Sequence, residues 1–326
     1  MGSRARPLES ALASLKRAQA EDDVGCRLLL AESLARDPAR AAAKAAEIAR
    51  ARGFESLAAE LVSAFGRFMV RPEKSDPGCV AKTAIVEALA RLGHDDPSVF
   101  LRGIRHVQQE PVYGGRVDTA VDLRGASAFG LVAIGHPAVL YELCDLLADK
   151  QAPARICAAQ ALAALGSDDA VPLLRLRALI GDAEPRVLTE CLIALLKLQP
   201  ASGLSFVLKQ LDSEEEPRAL AAALALGESR LPEAFAPLVD WVGRSVHGER
   251  RRTGLLALGL LRREEAFEHL LGLLEESRPP TSIDALQALL PARDNAPLRA
   301  RIQAVVEGRR EPRLSSEFRR LFGARA

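Results

Sequence analysis

Three side chains near the middle of the chain have types and spacing that could support acid–base chemistry. Asp118 and Arg124 lie six residues apart, and His106 precedes them across a segment of unusual composition, residues 107–117. A carboxylate, a cation and an imidazole are typical components of general acid–base catalysis. The same Asp–Arg spacing recurs elsewhere in the chain, however, so the architecture must be established before any catalytic role is assigned.

Other candidates for catalysis or metal binding are weak. No phosphate-binding loop, dinucleotide-binding glycine motif, nucleophile elbow or zinc-protease motif occurs in the sequence. His94 and His136 each follow a glycine that ends a helical pattern, which favours a capping role over metal ligation. His247 and His269 show no zinc-binding pattern. We therefore expect no catalytic residue, no metal site and no cofactor.

A regular period indicates the architecture. Arg124, Arg155, Arg186, Arg218 and Arg250 recur at intervals of 31, 31, 32 and 32 residues, and each lies near the start of a helical apolar pattern. A fixed period of this length is typical of stacked supersecondary repeats, which bury their apolar faces against their neighbours. We therefore predict an all-α protein, an α-solenoid of stacked antiparallel helix pairs.

The composition agrees with this architecture and narrows the class of protein. Of 326 residues, 48% are hydrophobic but only 4% are aromatic, and the abundant alanine and leucine suit closely packed helices. A net charge of +1 gives no global attraction to nucleic acid or to an anionic membrane. The 5 cysteines form no CxxC pair, and no apolar run is long enough to span a membrane. We expect reduced thiols and a cytoplasmic location.

Helix boundary signals divide the chain into three predicted segments. In the clearest repeat, a proline lies near the start of the first helix and Gly166 follows its end, as is common at helix termini. Comparable repeats extend over residues 76–307. Divergent helical repeats occupy residues 1–75, and a basic capping segment occupies residues 308–326.

These repeats resemble the HEAT-repeat family in two features. First, an aspartate in the turn between repeats is followed six residues later by an arginine, although Asp182 and Arg186 are only four residues apart. Second, residues 161–166 match the pattern Ala-Leu-x-x-Leu-Gly. In that family the two charged residues form a ladder of ion pairs along the stack. The resemblance implies fold rather than function, because HEAT arrays have many unrelated roles. The implied structural ladder consists of Asp118, Arg124, Asp149, Arg155, Asp182, Arg186, Asp212 and Arg218.

One interruption of the period coincides with the candidate side chains. The helix ends at Gly93 and Gly135 are 42 residues apart, whereas Gly135 and Gly166 are 31 apart, which indicates an insertion of 11 residues at about 107–117. Loops of this length within a compact array are often functional, although a tolerated surface insertion is the alternative. We predict that this loop contacts a partner, with Tyr113 as its anchor. The predicted partner-binding residues are His106, Gln109, Glu110, Tyr113 and Arg116.

The primary functional hypothesis is a non-catalytic scaffold that binds another protein on the concave face of the solenoid, a face we expect the second helices to form. The alternative is nucleic-acid binding or repair of alkylated DNA bases, as in some HEAT-like proteins, because the C-terminal segment is locally basic. The scarcity of aromatic residues weighs against that alternative. Bilin attachment, the activity of another HEAT-like family, is favoured less than either. The alternative would use Arg250, Arg251, Arg252, Arg309 and Arg310.

Overall fold

The computed structural model describes residues 7–245 and 248–323. Within these ranges the regular structure is helical apart from one two-stranded hairpin. The prediction of an all-α solenoid is confirmed. His247 and Arg325, which the sequence places at the start of a repeat and in the basic tail, lie outside the described residues.

The chain separates into two compact units, of which unit 1 is Met1–Gly166. Its first helices pack against one another in one layer, and its second helices cover them in another. The elements of unit 1 are α1 (Leu8–Ala18), α2 (Asp23–Arg36), α3 (Ala39–Arg52), α4 (Ala58–Phe68), α5 (Pro72–Ser75), α6 (Val80–Arg91), α7 (Ser98–Ile104), β1 (Gln109–Val112), β2 (Gly115–Asp118), α8 (Val121–Ala133), α9 (Val139–Leu147) and α10 (Ala152–Leu165).

Unit 2 is Ser167–Ala326 and has the same two-layer arrangement. The boundary between the units does not coincide with the segment boundaries predicted after residues 75 and 307. The helices of unit 2 are α11 (Val171–Ile180), α12 (Pro185–Leu198), α13 (Pro200–Leu211), α14 (Glu216–Ser229), α15 (Phe235–Gly243), α16 (Gly248–Leu260), α17 (Glu264–Glu276), α18 (Pro279–Ala288), α19 (Ala296–Arg309) and α20 (Pro312–Phe322). Single 3-10 turns lie at Glu55–Leu57, Pro77–Cys79, Asp168–Ala170, Pro232–Ala234 and Leu290–Ala292.

The first helices lie closer together than the second helices do. In unit 1, each of the first helices α3, α6, α8 and α10 packs closely against the next one. The second helices α7 and α9 make few contacts with each other. In unit 2, α12, α14 and α16 likewise pack more closely than α13 and α15. A stack with one tighter layer curves toward that layer, so the first helices form the concave side within each unit. This packing favours the first helices for the concave side, whereas the sequence analysis expected the second helices to form it.

Small side chains explain the closer packing of the first helices. Ala41, Ala42, Ala45 and Ala46 of α3 are fully buried, and alanine lets two helix backbones approach because it adds only a methyl group at the contact. The second helices carry larger side chains on their packed faces, such as Phe206 of α13. Residue size thus explains why the first helices pack more closely than the second helices.

Candidate functional site

The predicted insertion is a β-hairpin rather than an irregular loop. Strands β1 and β2 pair antiparallel, with Gln109 opposite Asp118. Tyr113 and Gly114 form the turn, and Gly114 has a φ of 85°, which glycine adopts without steric cost. The break in the period located this segment, but strands of 4 residues were too short to give a recognisable alternation.

A fully buried ion pair lies beneath the hairpin. The Asp76 carboxylate accepts hydrogen bonds from the backbone N–H groups of Ala81 and Lys82, both at 2.9 Å, at the start of α6 where the helix dipole also favours a negative charge. The Lys82 ammonium lies 3.1 Å from the same carboxylate and donates to Gln108 Oε1 at 3.0 Å. Both charges are paired and hydrogen-bonded, which is the condition for burying them at tolerable cost.

Gln108 and Glu110 connect this ion pair to the strands. The Gln108 amide donates to the Asp76 carbonyl at 3.0 Å and to Glu110 Oε1 at 2.5 Å. Glu110 Oε1 also accepts from the Gly78 N–H at 2.7 Å and the Thr119 hydroxyl at 2.8 Å. Burial alone would raise the pKa of Glu110, but these donors hold it below its ordinary value. We define the hairpin-base cluster as Asp76, Lys82, Gln108, Glu110, Asp118 and Arg124.

Arg124 joins two carboxylates of successive repeats. Its buried guanidinium places Nη1 2.8 Å from Asp118 Oδ2 and Nη2 3.3 Å from Asp149 Oδ1. Nη1 also donates to the His106 carbonyl at 2.9 Å. Burial would raise the pKa of Asp118, but two backbone N–H groups and this arginine hold it below its ordinary value. These contacts tie the start of α8 to the turn after α9 and serve packing rather than proton transfer.

The next arginine of the series, Arg155, lies on α10 and is also buried. Its Nη1 donates to the backbone carbonyls of Asp149 at 2.8 Å and Lys150 at 3.1 Å. Asp149 therefore contacts the Arg124 side chain through its carboxylate and Arg155 through its carbonyl. The ladder geometry thus extends over two successive repeats of unit 1.

Asp212 and Arg218 of unit 2, although six residues apart, do not pair. Asp212 is exposed and its Oδ1 lies 3.3 Å from Arg244 Nη2. Arg218 Nη2 lies 3.2 Å from Glu215 Oε2 and donates to the Leu179 carbonyl at 3.3 Å. The pairing expected from the spacing is therefore wrong.

The burial pattern of the first helices explains why the ladder changes. The buried positions of α10 recur in α12 after 33 residues, so that Leu188 takes the place equivalent to Arg155. Arg186 lies two residues earlier in α12 and is exposed, while Asp182 pairs with Arg177 of α11. The regular interval between the arginines concealed this change of register.

The hairpin exposes three of the predicted partner-binding residues. Gln109, Tyr113 and Arg116 are exposed, and Tyr113 is exposed completely. The Arg116 guanidinium donates to the Gln109 carbonyl at 2.6 Å, which braces β2 against β1. The tip therefore presents an accessible tyrosine on a braced hairpin.

The other two predicted residues face the protein. Glu110 belongs to the hairpin-base cluster, and His106 is half-buried with Nε2 3.2 Å from Gln108 Oε1. Burial lowers the pKa of His106. Both side chains make polar contacts within the base of the hairpin, and their role in partner binding stays a prediction.

A broad groove lies over the first helices of unit 1. It has a volume of about 980 Å³ and lies across α3, α6, α8 and α10. Ala90 and Ala126 leave space in it, and Phe129 contributes a large apolar surface that is 39% exposed. The ion pair between Arg50 and Glu87 connects α3 to α6 across one end. This combination of small, aromatic and charged residues suits contact with another macromolecule.

The basic residues of the alternative hypothesis are largely engaged within the chain. Arg250 lies 3.8 Å from Glu216, and Arg251 lies 2.9 Å from Asp284. Arg309 donates to backbone carbonyls at the end of α17. These contacts remove three of the five arginines from a cationic track. The two exposed ones are Arg252 and Arg310.

Reactive thiols and metal clusters do not mark a site in the described ranges. Burial raises the pKa of Cys79 to about 11 and that of Cys191 to about 12, so both thiols stay protonated and unreactive at neutral pH. Among residues 7–245 and 248–323, no cluster of three or more histidine, cysteine, aspartate or glutamate side chains could hold a metal ion. None of the described helices has the length and apolar character needed to cross a membrane.

Comparisons with known proteins bear on the repeat itself. A profile of HEAT repeats matches residues 116–178, a range that includes Asp118, Arg124 and Asp149. No curated protein matches the chain.

Similar solved structures include the complex of CpcE and CpcF of phycocyanin lyase from Nostoc sp. PCC7120, with 19% identity, 67% of this chain and 84% of that chain covered, and a TM-score of 0.36. Human deoxyhypusine hydroxylase in complex with glycerol shares 16% identity over 86% of this chain and 97% of that chain, with a TM-score of 0.32. Kap121p shares 13% identity over 96% of this chain and 44% of that chain, with a TM-score of 0.37.

Proposed function

The chain belongs to the HEAT-repeat family, and we propose that it is a non-catalytic scaffold that binds another protein on the concave side of unit 1. The observation that carries this proposal is the groove of about 980 Å³ across α3, α6, α8 and α10. Neighbouring packed helices lie about 8–10 Å apart, so a groove across four of them is roughly 25 Å long. That length suits an extended protein contact better than a single small molecule.

The lining of the groove has the composition of a protein interface. Phe129 supplies an aromatic surface beside the small residues, and such residues are enriched at the centres of interfaces. Arg91 and Asp122 also line the groove, and neither has an ion-pair partner among the described residues. A partner would gain contact area on the apolar floor and polar contacts at these two charges.

The hairpin adds a rigid contact point to this proposal. Its base is fixed by buried hydrogen bonds and ion pairs, whereas Tyr113 at its tip is completely exposed. A tyrosine held on a braced turn buries a large area on binding while losing little conformational entropy. We therefore assign the partner contact to Tyr113 and Arg116 at the tip, with the base as support.

The charged side chains at the base of the hairpin are engaged with other groups of the protein, which favours a binding role over a catalytic one. Asp118, Arg124 and Glu110 are each occupied by several protein partners. General acid–base catalysis requires a group that can reach a proton on a substrate. No residue of the hairpin-base cluster lines the groove across α3, α6, α8 and α10, so we infer that its chemistry serves to hold the hairpin.

The test is affinity purification with the full chain as bait, comparing the unmodified chain with Ala126→Arg. Ala126 is half-buried in the groove, so an arginine would fill the groove and reduce recovery of specific partners by roughly tenfold or more. Ala35→Arg is the matched control, since it adds the same side chain at an exposed position of α2. Equal recovery with both variants would rule out the groove as the binding surface.

A second pair of variants tests the tip of the hairpin. Tyr113→Ala should weaken recovery of the same partners, whereas Tyr141→Ala should not, although Tyr141 is also 76% exposed on α9. Measuring the binding of duplex DNA to the chain over a series of salt concentrations tests the nucleic-acid alternative. Tight binding that falls steeply with salt would contradict the protein-scaffold proposal and favour the nucleic-acid alternative.

A further inference from the structure

Unit 2 has a row of aliphatic side chains that runs across its first helices. The buried positions of α12 recur in α14 after 31 residues, and those of α14 recur in α16 after 32. By this alignment Ile193, Leu224 and Leu256 are equivalent, and each lies between two buried residues of its helix. Ile193 and Leu224 are half-buried, and Leu256 is 42% exposed. We call these three residues the aliphatic row.

Close helix packing makes the row continuous. Gly227 of α14 lies against the backbone of Ala257, and Gly259 of α16 lies against the backbone of Ala288. A Cβ atom at either glycine would collide with a backbone carbonyl, so the absence of a side chain permits the close approach. A groove of about 620 Å³ on this surface is lined by Ile193, Leu224 and Leu260.

Two carboxylates flank the aliphatic row. Glu190 lies one turn before Ile193 in α12, and Glu228 lies one turn after Leu224 in α14. Both line the groove, and neither has an ion-pair partner among the described residues. Arg186, at the start of α12, is the cation of this lining. The lining therefore carries more negative than positive charge beside an apolar floor.

We propose that the aliphatic row is the docking surface for one amphipathic α-helix of a partner protein, with basic residues on both flanks of its apolar stripe. The row crosses two helix spacings of about 8–10 Å each. In an α-helix seven residues span about 10.5 Å, so apolar residues repeating every seven positions meet successive members of the row. Lysine or arginine beside that stripe would pair with Glu190 and Glu228.

This docking surface belongs to unit 2 and does not depend on the groove or the hairpin of unit 1. The proposal about unit 1 concerns Ala126, Phe129 and Tyr113, none of which lies in unit 2. Either proposal can therefore fail while the other stands.

The test uses the full chain and synthetic helical peptides of about 18 residues, long enough to hold helical structure. One peptide has a leucine stripe flanked by lysine, a second has glutamate in place of lysine, and a third has the first composition in scrambled order. Fluorescence anisotropy should show the lysine-flanked peptide binding at least roughly tenfold more tightly than either control, a ratio that corresponds to about 1.4 kcal/mol.

Matched variants locate the binding. The double variant Glu190→Gln with Glu228→Gln should weaken the lysine-flanked peptide by roughly tenfold. Glu233→Gln with Glu276→Gln changes the net charge equally at exposed positions outside the groove and should have no effect. Leu256→Asn should weaken binding without unfolding the chain, because Leu256 is already partly exposed; circular dichroism checks the fold.

Four outcomes of the peptide measurements would overturn this proposal. These are equal binding of the scrambled peptide, equal or tighter binding of the glutamate-flanked peptide, equal effects of the two double variants, and no binding by any peptide. Sedimentation measurements address a different occupant. Self-association of the chain that Leu256→Asn abolishes would identify a second copy on this surface and would also overturn the proposal.

Discussion

Units 1 and 2 stack the same kind of helix pair but differ in how far buried arginines join their first helices. In unit 1, Arg124 lies between the carboxylates of Asp118 and Asp149. In unit 2, the positions equivalent to these arginines are Leu188 in α12 and Ala219 in α14, and an arginine returns only at Arg251 in α16, which pairs with Asp284 of α18. The first helices of unit 2 also pack through close backbone approaches at glycine and through aliphatic side chains.

This difference shows two separate requirements of a repeat array: neighbouring helices must adhere to one another, and they must pack in the correct register. An ion pair between buried groups adds little net stability, because desolvation offsets attraction, but it penalises any arrangement that leaves a charge unpaired. Apolar packing stabilises without fixing register so sharply. Unit 1 must hold the hairpin at a defined place in the stack, and its polar contacts lie at the base of that hairpin. The described part of unit 2 has no such insertion, and the equivalent positions of α12 and α14 are apolar.

The largest expected effect comes from removing the central cation of unit 1. Arg124→Ala would leave Asp118 and the His106 carbonyl buried without their shared donor. Loss of one partner of a buried ion pair typically costs about 3–5 kcal/mol. Urea unfolding followed by circular dichroism should show that decrease in the free energy of unfolding, or unfolding of unit 1 alone at low urea.

Arg218→Ala in unit 2 is the matched control for this substitution. Its ion pair with Glu215 is largely exposed on the glutamate side, and exposed pairs contribute about 1 kcal/mol or less. If both alanine variants lower stability equally, the two units do not differ in the way described.

A smaller effect is expected from crowding the apolar contacts of unit 2. Gly227→Ala would force a methyl group against the backbone of Ala257, and overpacking of this kind typically costs about 1–3 kcal/mol. Gly272→Ala in α17 is the control, since nothing lies within 4 Å of the added methyl group. That variant should be stabilised by about 0.5–1 kcal/mol through helix propensity. Stabilisation of both variants would show that the close approach at Gly227 is not required.

The contrast between the units also shows how far sequence alone reaches. The period and the Ala/Leu composition predicted the stacked helix pairs, because helical patterning and repeat length are local properties of the chain. The same regularity misled at Arg186 and Arg218, because equal spacing does not establish equal burial. Arg186 is exposed, and the position equivalent to Arg155 is Leu188. Register in a repeat depends on which face packs, which the spacing of one residue type cannot reveal.

The candidate site was predictable in place but not in its details. An insertion of 11 residues was visible as a break in the period, yet Asp76 and Lys82 gave no signal because they lie about 30 residues before the hairpin that they support. Glu110 and His106 were predicted as surface contacts because polar residues in loops are usually exposed. Their role at the hairpin base depends on the fold of Gln108 and Glu110 against α6, which is a long-range contact.

The smallest expected effect concerns one histidine from each unit. Burial lowers the pKa of both His106 and His269, so folding disfavours protonation of each imidazole. As the pH falls below about 6.5, the ordinary value, the unfolded chain binds these protons first and stability decreases, whereas above that pH nothing is lost. His106→Gln and His269→Gln should each reduce the loss of unfolding free energy measured between about pH 7.5 and pH 5.5.

The two histidine variants should differ in a second measurement. His106 contacts Gln108 in the polar base of the hairpin, whereas His269 packs against the Phe235 ring. Acidification of the unmodified chain should therefore speed hydrogen exchange at the Thr119 N–H, which donates to the Gln108 carbonyl, and His106→Gln should suppress that change. If His269→Gln suppresses it equally, protonation loosens the molecule as a whole and the polar base of the hairpin is not a separate element of unit 1.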